Sequence, residues 1–265
     1  MWSADPREMR TFPVRFLAEF FSNHGMLGFR DRPRWSTVTG GSARYVEALT
    51  TPFRDRIRLN TPVRSITRHS EHVEMSASGG EPERFEHVIV ATHSDQALAM
   101  LSDASAREID TLGAIPYQRN EAVLHTDTSL LPRRRTAWSS WNFHLTPEPP
   151  GRSTVTYWMN HLQRLRARHQ YLLTLNRGAA IDPARVLRRF EYDHPVYTAA
   201  GVAAQARRAE ISGVRRTHYC GAYWGWGFHE DGVVSALRAC AGIAPGMAPA
   251  ALVAPPAPAG EALAA

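Results

Sequence analysis

Phe12, Val14, Phe16, Leu17, Phe20 and Phe21 lie close together near the start of the chain, and the pairs 12/16, 16/20 and 17/21 are four apart, the spacing of one helix face. Asn23, His24 and Gly25 supply a stop signal, so the pattern predicts a helix over 12–27 whose apolar face is meant for a core rather than a membrane surface. A second helical run covers 43–49 and is closed by Pro52. The period then shortens. Strands are expected over 56–59, 62–68, 72–76 and 84–91, with Ser78, Gly79 and Gly80 marking a turn in a small β-meander. The compact apolar stretch at Val88, Ile89 and Val90 ends at Thr92 and His93, ahead of a helix over 94–101. Further strands rich in Trp and Tyr are expected over 117–126, 135–143 and 153–158, with a Pro-bearing loop at Pro147, Pro149 and Pro150. A helix over 161–168, a strand over 171–175 and a helix over 202–211 follow, and 244–265 reads as an Ala/Pro-rich disordered tail. No internal repeat is visible. The class is α/β (α+β).

The densest signal lies at 217–232. A short strand leads into a turn holding Gly221, Gly225 and Gly227 within seven residues, and a helix opens near Glu230 or Asp231. Glycine lets backbone approach a flat or phosphorylated ligand, and a helix start offers amide donors at the positive end of a dipole. Yet neither G-x-G-x-x-G nor G-x-x-x-x-G-K-[ST] occurs anywhere in the chain. Half of a cofactor site is written here, and the other half is not.

Composition narrows the chemistry. A chain of 265 residues with 43% apolar content and seven Trp can bury a sizeable core. All 31 basic residues are arginine, so a Schiff-base lysine, a phosphate-binding lysine and a lysine base are all excluded. The arginines are dispersed among 25 acidic residues, which argues against a nucleic-acid partner. Two cysteines are too few for a disulfide scaffold, no signal peptide opens the chain, and no apolar run reaches the ~20 residues that span a bilayer. A cytoplasmic protein without a transmembrane segment is the expectation.

Single residues carry two readings each. His229, Glu230 and Asp231 are adjacent and therefore point in different directions on a helix, which is poor spacing for metal ligands. His93 and Asp95 follow a strand end, where acid–base groups often sit, but Ser94 or Asp95 also suits the cap of the next helix. His125 and Asp127 share a strand face, either towards a substrate cavity or as a structural pair. Cys220 reads as a small buried residue. Most of the large aromatics belong to a core, but Tyr223, Trp224, Trp226 and Phe228 stand in a glycine-rich loop, an odd place for purely structural rings.

Taken in order, several stretches resemble the C-terminal two-thirds of a flavin-containing amine oxidoreductase, within the bacterial NAD/FAD-binding group. They are Phe20 to Gly25, Pro33 to Trp35 with Val38 to Ser42, Val88 to Gln96, Leu124 to Asp127, Trp138 to Asn142, Tyr157 to Asn160 and Gly227 to Gly232. The resemblance covers about 10–242 and implies FAD as cofactor. It also implies part of a two-layer α/β FAD-binding domain, joined to a sheet-and-helix substrate domain. On that basis 1–42 form a helical substrate-side segment ending in the Gly–Gly loop, and 43–113 a part of the FAD domain with the meander. Residues 114–205 form the substrate domain, 206–243 the C-terminal FAD-binding segment, and 244–265 the tail. The resemblance places Val63 by the adenine, Gly40, Gly41 and Ser42 near the flavin end, and Gly221 by the ribityl–pyrophosphate section. The His229 and Glu230 backbone approaches the pyrimidine edge of the ring, and Gly227 counts among the cofactor-binding residues. Phe228 falls at an aromatic wall of the substrate cavity, to which the loop aromatics Tyr223 and Trp226 are added as candidates. The family's N-terminal strand, G-x-G-x-x-G turn and helix are absent, which implies a missing N-terminal half. Many amine oxidases of the family keep a lysine near the flavin. This chain has none, so an amine and a lipid-like or other small molecule stay equally open as substrate.

Overall fold

The computed structural model describes residues 12–28, 36–78, 80–145 and 153–244. In chain order the elements are α1 (Val14–Asn23), α2 (Ala43–Thr50), β1 (Val63–Arg68), β2 (Val73–Ala77), β3 (Glu83–Phe85), β4 (Val88–Val90), α3 (Ser94–Met100) and α4 (Ala106–Leu112). They continue with β5 (Tyr117–His125), β6 (Trp141–Phe143), β7 (Val155–Trp158), α5 (Met159–Leu162), β8 (Leu172–Leu175) and β9 (Val186–Pro195). The last are α6 (Ala199–Ala206), β10 (Thr217–Tyr219) and α7 (His229–Ala241). Mixed helices and sheets place the chain in the expected α/β (α+β) class. Pro33 to Trp35, Gly79, Pro147 to Pro150 and the expected tail beyond Ala244 lie outside the described residues.

The chain divides into two compact units. The first combines Met1–Ile57 with Tyr117–Val196, and the second combines Arg58–Pro116 with Tyr197–Ala265. Residues 43–57 thus group with the first unit and 197–205 with the second.

In the first unit five strands form an antiparallel sheet in the order β6-β7-β8-β5-β9. Its buried cluster is Val123, Leu130 and Ile181, with Val186 packed against it. Helix α1 buries Phe16 and Phe20, as the apolar pattern predicted for a core helix. Helix α2 is different: none of its residues is buried, and Val46 and Leu49 are 48% and 66% exposed.

The second unit holds an antiparallel meander, β1-β2-β3, and a separate parallel pair in which Thr217, His218 and Tyr219 of β10 lie beside Val88, Ile89 and Val90 of β4. The single strand expected over 84–91 is therefore two. Its first part pairs with β2 and its second with a partner some 130 residues later, and the chain changes sheet at Glu86 and His87.

Other departures have local causes. The stretch 56–59 is no strand, because Pro52 opens a 3-10 turn over Thr51–Arg56 and Asn60 takes a positive φ of 55°. The helix expected over 161–168 shrinks to the single turn α5, since Arg164 sits at φ 52° and stops it. In place of a full strand over 135–143 there is a 3-10 turn at Arg135–Ala137 and then β6.

Candidate functional site

The glycine-rich segment forms as a short strand, a tight loop and a helix. Strand β10 runs into Cys220 and Gly221, a 3-10 turn follows at Ala222–Trp224, and α7 opens at His229. The loop is laced from three sides. Gln205 on α6 donates from its amide nitrogen to the carbonyls of Tyr223 at 2.8 Å and Gly225 at 2.7 Å. Ser235 on α7 accepts from the Gly221 amide at 2.9 Å and donates to the Gly232 carbonyl at 2.8 Å. Asp231 accepts the amides of Trp226 and Phe228 at 3.1 and 2.9 Å, so the chain folds back over the helix start. Gln205 and Ser235 were not singled out from the sequence, because their role depends on neighbours that only the fold brings close.

The glycines are needed by this loop for its own closure. A Cβ on Gly221 would run into the Tyr223 ring, and one on Gly225 would meet the Asp231 carboxylate. One on Gly227, which sits at φ 90°, would lie 2.6 Å from the Tyr197 hydroxyl oxygen. Tyr223 is buried inside the loop, Trp226 is half-buried, and Phe228 is 37% exposed beside the exposed His229 and Glu230. The helix start is thus open to solvent, with the positive end of the α7 dipole behind it. The Trp224 indole N–H, in the same loop, is buried with no partner among the described residues.

Beneath β10 lies an ionic network that sequence reasoning missed. Arg68 on β1 is buried and makes paired bonds to the Glu108 carboxylate at 2.7 and 3.0 Å, and its Nε donates to Asp103 at 2.5 Å. The Tyr219 hydroxyl of β10 donates to Glu108 at 2.6 Å, and Arg215 pairs with Asp103. Burial alone would push the Glu108 carboxyl up. Hydrogen bonds from Arg68, Tyr219 and Ser105 outweigh it and hold the group at about 2. Burial, aided by the Glu108 charge, drives the Tyr219 phenol upward. A signal was available: Ser105 followed by Glu108 is a capping box, and both halves of it form at the start of α4.

A groove of about 540 Å³ runs beside β4, not at the glycine loop, and is lined by Val63, Ile66, Met75, Ile89, Ala99 and Met100 among others. Val63 stands where β1 slips register against β2. On β4, Val88 donates to the Arg216 carbonyl at 3.0 Å and Val90 accepts from the Cys220 amide at 3.1 Å. Both residues therefore face β10, and alternation turns the Ile89 amide and carbonyl to the opposite, groove side.

The remaining candidates fall as follows. Gly40 and Gly41 take φ of 83° and 88° and lead through Ser42 into α2, and a Cβ on Gly41 would meet nothing within 4 Å among the described residues. His125 is fully buried: its Nδ1 accepts the Asp127 backbone amide at 3.1 Å and its Nε2 bonds the Thr174 hydroxyl at 2.7 Å. Asp127 caps a turn, accepting amides of Ser129 and Asp182. These two are a structural pair, and burial lowers the imidazole's proton affinity against the opposing Asp127 charge. The residue in the cap position of α3 is His93, whose amide donates to Gln96, rather than Ser94 or Asp95. Cys220 is buried, and burial pushes its thiol up, away from nucleophilic use.

A model of the family described as flavin containing amine oxidoreductase matches residues 5–244. No curated protein matches the chain by sequence. Among solved structures, cyclohexylamine oxidase from Brevibacterium oxydans is similar over 92% of this chain and 62% of its own, at 19% identity and a TM-score of 0.60. A fatty acid isomerase from P. acnes that produces CLA aligns over 83% of this chain and 56% of its own, at 13% identity and a TM-score of 0.56. A variant of putrescine oxidase aligns over 78% and 53%, at 14% identity and a TM-score of 0.54. The chain thus spans between half and two-thirds of the length of the structures it matches. Among the described residues no helix is long and apolar enough to cross a membrane.

Proposed function

Because the chain belongs to the flavin-containing amine oxidoreductase family, we propose that it is the larger, C-terminal part of an FAD-dependent oxidoreductase. Such an enzyme moves a hydride from a substrate C–H bond to the flavin. The observation that carries this reading is the open edge of β4. Parallel sheets are normally covered on both faces, and two strands alone are marginal in water. Here a parallel pair of three-residue strands turns the Ile89 backbone towards an apolar groove. A further parallel strand belongs there. A strand that opens a dinucleotide-binding unit, followed by the glycine turn this sequence lacks, is of the right kind.

The residues fit one end of FAD. The α7 start is exposed, its dipole favours negative charge, and the unpartnered Trp224 indole lies in the same loop. We assign Gly221, Gly227, His229 and Glu230 to the flavin side of the cofactor, the Val63 backbone to the adenine, and Gly40, Gly41 and Ser42 to a flavin-end turn. Trp226 and Phe228 offer aromatic surface to substrate, and Tyr223 supports them from within the loop. When bound, the flavin supplies the hydride-accepting ring. The chain's part is to hold that ring, orient it and set the field at its edge. The diphosphate needs donors that the missing unit would bring. The named neighbours act on amines in two cases and on a fatty acid in the third, so a small amine or a lipid-like chain is the substrate class. Two free cysteines suit a reducing compartment such as the cytoplasm.

A second reading has its own support. The Cβ space of Gly221, Gly225 and Gly227 is taken by the chain's own side chains, so the loop closes without any ligand. That is also what a non-catalytic module of the same fold would show. The two separate by anaerobic mixing of the flavin-loaded protein, joined to a dinucleotide-binding unit, with an alkylamine or an unsaturated fatty acid. Bleaching of the flavin bands by either compound supports the oxidoreductase. Flavin lost on desalting, before either compound is added, supports the module, which binds none by itself.

A further inference from the structure

The hairpin between β1 and β2 carries chemistry that the flavin reading does not use. Thr67 pairs with Glu74 and Arg68 with Val73, and the next rung closes with the His69 amide donating to the His72 carbonyl at 2.9 Å. Side chains alternate along a strand and match across a pair. His69, His72 and Glu74 therefore share one face, and Arg68 and Val73 point into the buried interior on the other. The two imidazoles stack with centroids 4.5 Å apart and planes 15° from parallel. One ligand atom from each of His69, His72 and Glu74 lies within 4.8 Å of the others, a grouping found once among the described residues.

We propose that this face is a binding site for a divalent transition ion such as Zn²⁺, with His69, His72 and Glu74 as ligands. Nε2 of His72 is buried and has no hydrogen-bond partner among the described residues. An orphaned polar atom of this kind calls for a water or an ion to satisfy it. Two imidazoles and one carboxylate are a donor set that zinc accepts, and three protein ligands leave a fourth position for water. The net charge of the set is also right, one negative charge against two positive.

Two cations stand nearby. Arg84 on β3 lies 3.9 Å from the Glu74 carboxylate and is 73% exposed, so the contact is weak and the guanidinium free to swing away. Arg216 engages the turn itself, donating to the Ser70 carbonyl at 3.0 Å and pairing with Glu71, and so leaves the ligand face uncovered. Bound metal would clamp the turn and hold the two strands in register. This inference rests on the hairpin alone and stands or falls apart from the flavin site.

The test is calorimetric titration of the chelator-stripped full chain with Zn²⁺, followed by the same titration of His72→Ala, Glu74→Gln and, as control, the exposed His169→Ala. One saturable equivalent is expected. Losing a ligand should weaken it by at least the roughly tenfold that loss of an outer-shell partner costs, and the control should bind as the parent does. Glu74→Gln preserves size on a partly exposed strand position, so it reports even where His72→Ala disturbs folding, which circular dichroism reads. No saturable binding by the parent would overturn the proposal. So would His72→Ala and Glu74→Gln variants that bind as tightly as the parent.

Discussion

Two glycine turns in this chain lead into helices, and they differ in what surrounds them. The turn at Gly221 to Gly227 is tied down by Gln205, Ser235 and Asp231, and its strand rests on the buried Arg68–Glu108 network. The turn at Gly40 and Gly41 leads into α2, which has no buried residue and leaves Val46, Leu49 and Phe53 of its neighbourhood at the surface. The sequence signature is the same. What separates them is whether the described chain supplies side chains to pack against. A helix with an apolar face and nothing to cover it is built for a surface found elsewhere.

The largest way to stress this comparison is to cut the support under the first turn. Glu108→Gln takes from Arg68 one of its two carboxylate partners and leaves Asp103, and breaking such a buried pair should cost about 3 kcal/mol in urea unfolding. The acid side gives a second readout. The Glu108 carboxyl is held at about 2, below its ordinary value. The stability it contributes is therefore complete above about pH 4.5, the unfolded range, and is lost as pH falls through about 2. The variant should lose that part of the acid-side slope. A parent and variant with matching acid profiles would show the network to be idle.

A smaller effect is expected at the loop. Gln205→Ala leaves two carbonyls without their donor and should cost about 1–3 kcal/mol. Amide exchange in 221–227 should quicken, because the loop loses its tie to α6. Smallest of all is Leu49→Ser on α2, expected within about 0.5 kcal/mol because the residue is 66% exposed. A loss above about 2 kcal/mol there would mean that α2 is packed after all, and the contrast would collapse.

How far the sequence reaches follows the same division between local and distant causes. The α/β class, the meander, α1 as a core helix and the strand–glycine loop–helix at 217–241 were legible, because each is written in neighbouring residues. Strand β9 was not. It is largely exposed, and its pairing with β5 links residues about 70 positions apart. The split of 84–91 between two sheets had the same origin, since nothing local marks β10 as the partner of β4. Helix α4 has a local signal too, for its capping box stands plainly in Ser105 and Glu108. The glycines are plain in the sequence but their use is not: the space they spare is filled by Tyr223, Asp231 and Tyr197, which are two to thirty residues away.

The central claim is that this chain carries one half of a flavin site and lacks the half that grips the diphosphate. Its most direct test compares FAD retained after desalting by the chain alone and by the chain joined to a strand, G-x-G-x-x-G turn and helix ahead of Met1. Visible absorption reads both. The account predicts a colourless chain and a yellow fusion holding about one FAD per chain, since the diphosphate donors come from the added unit. Flavin retained in full by the chain alone, or by neither protein, would contradict it.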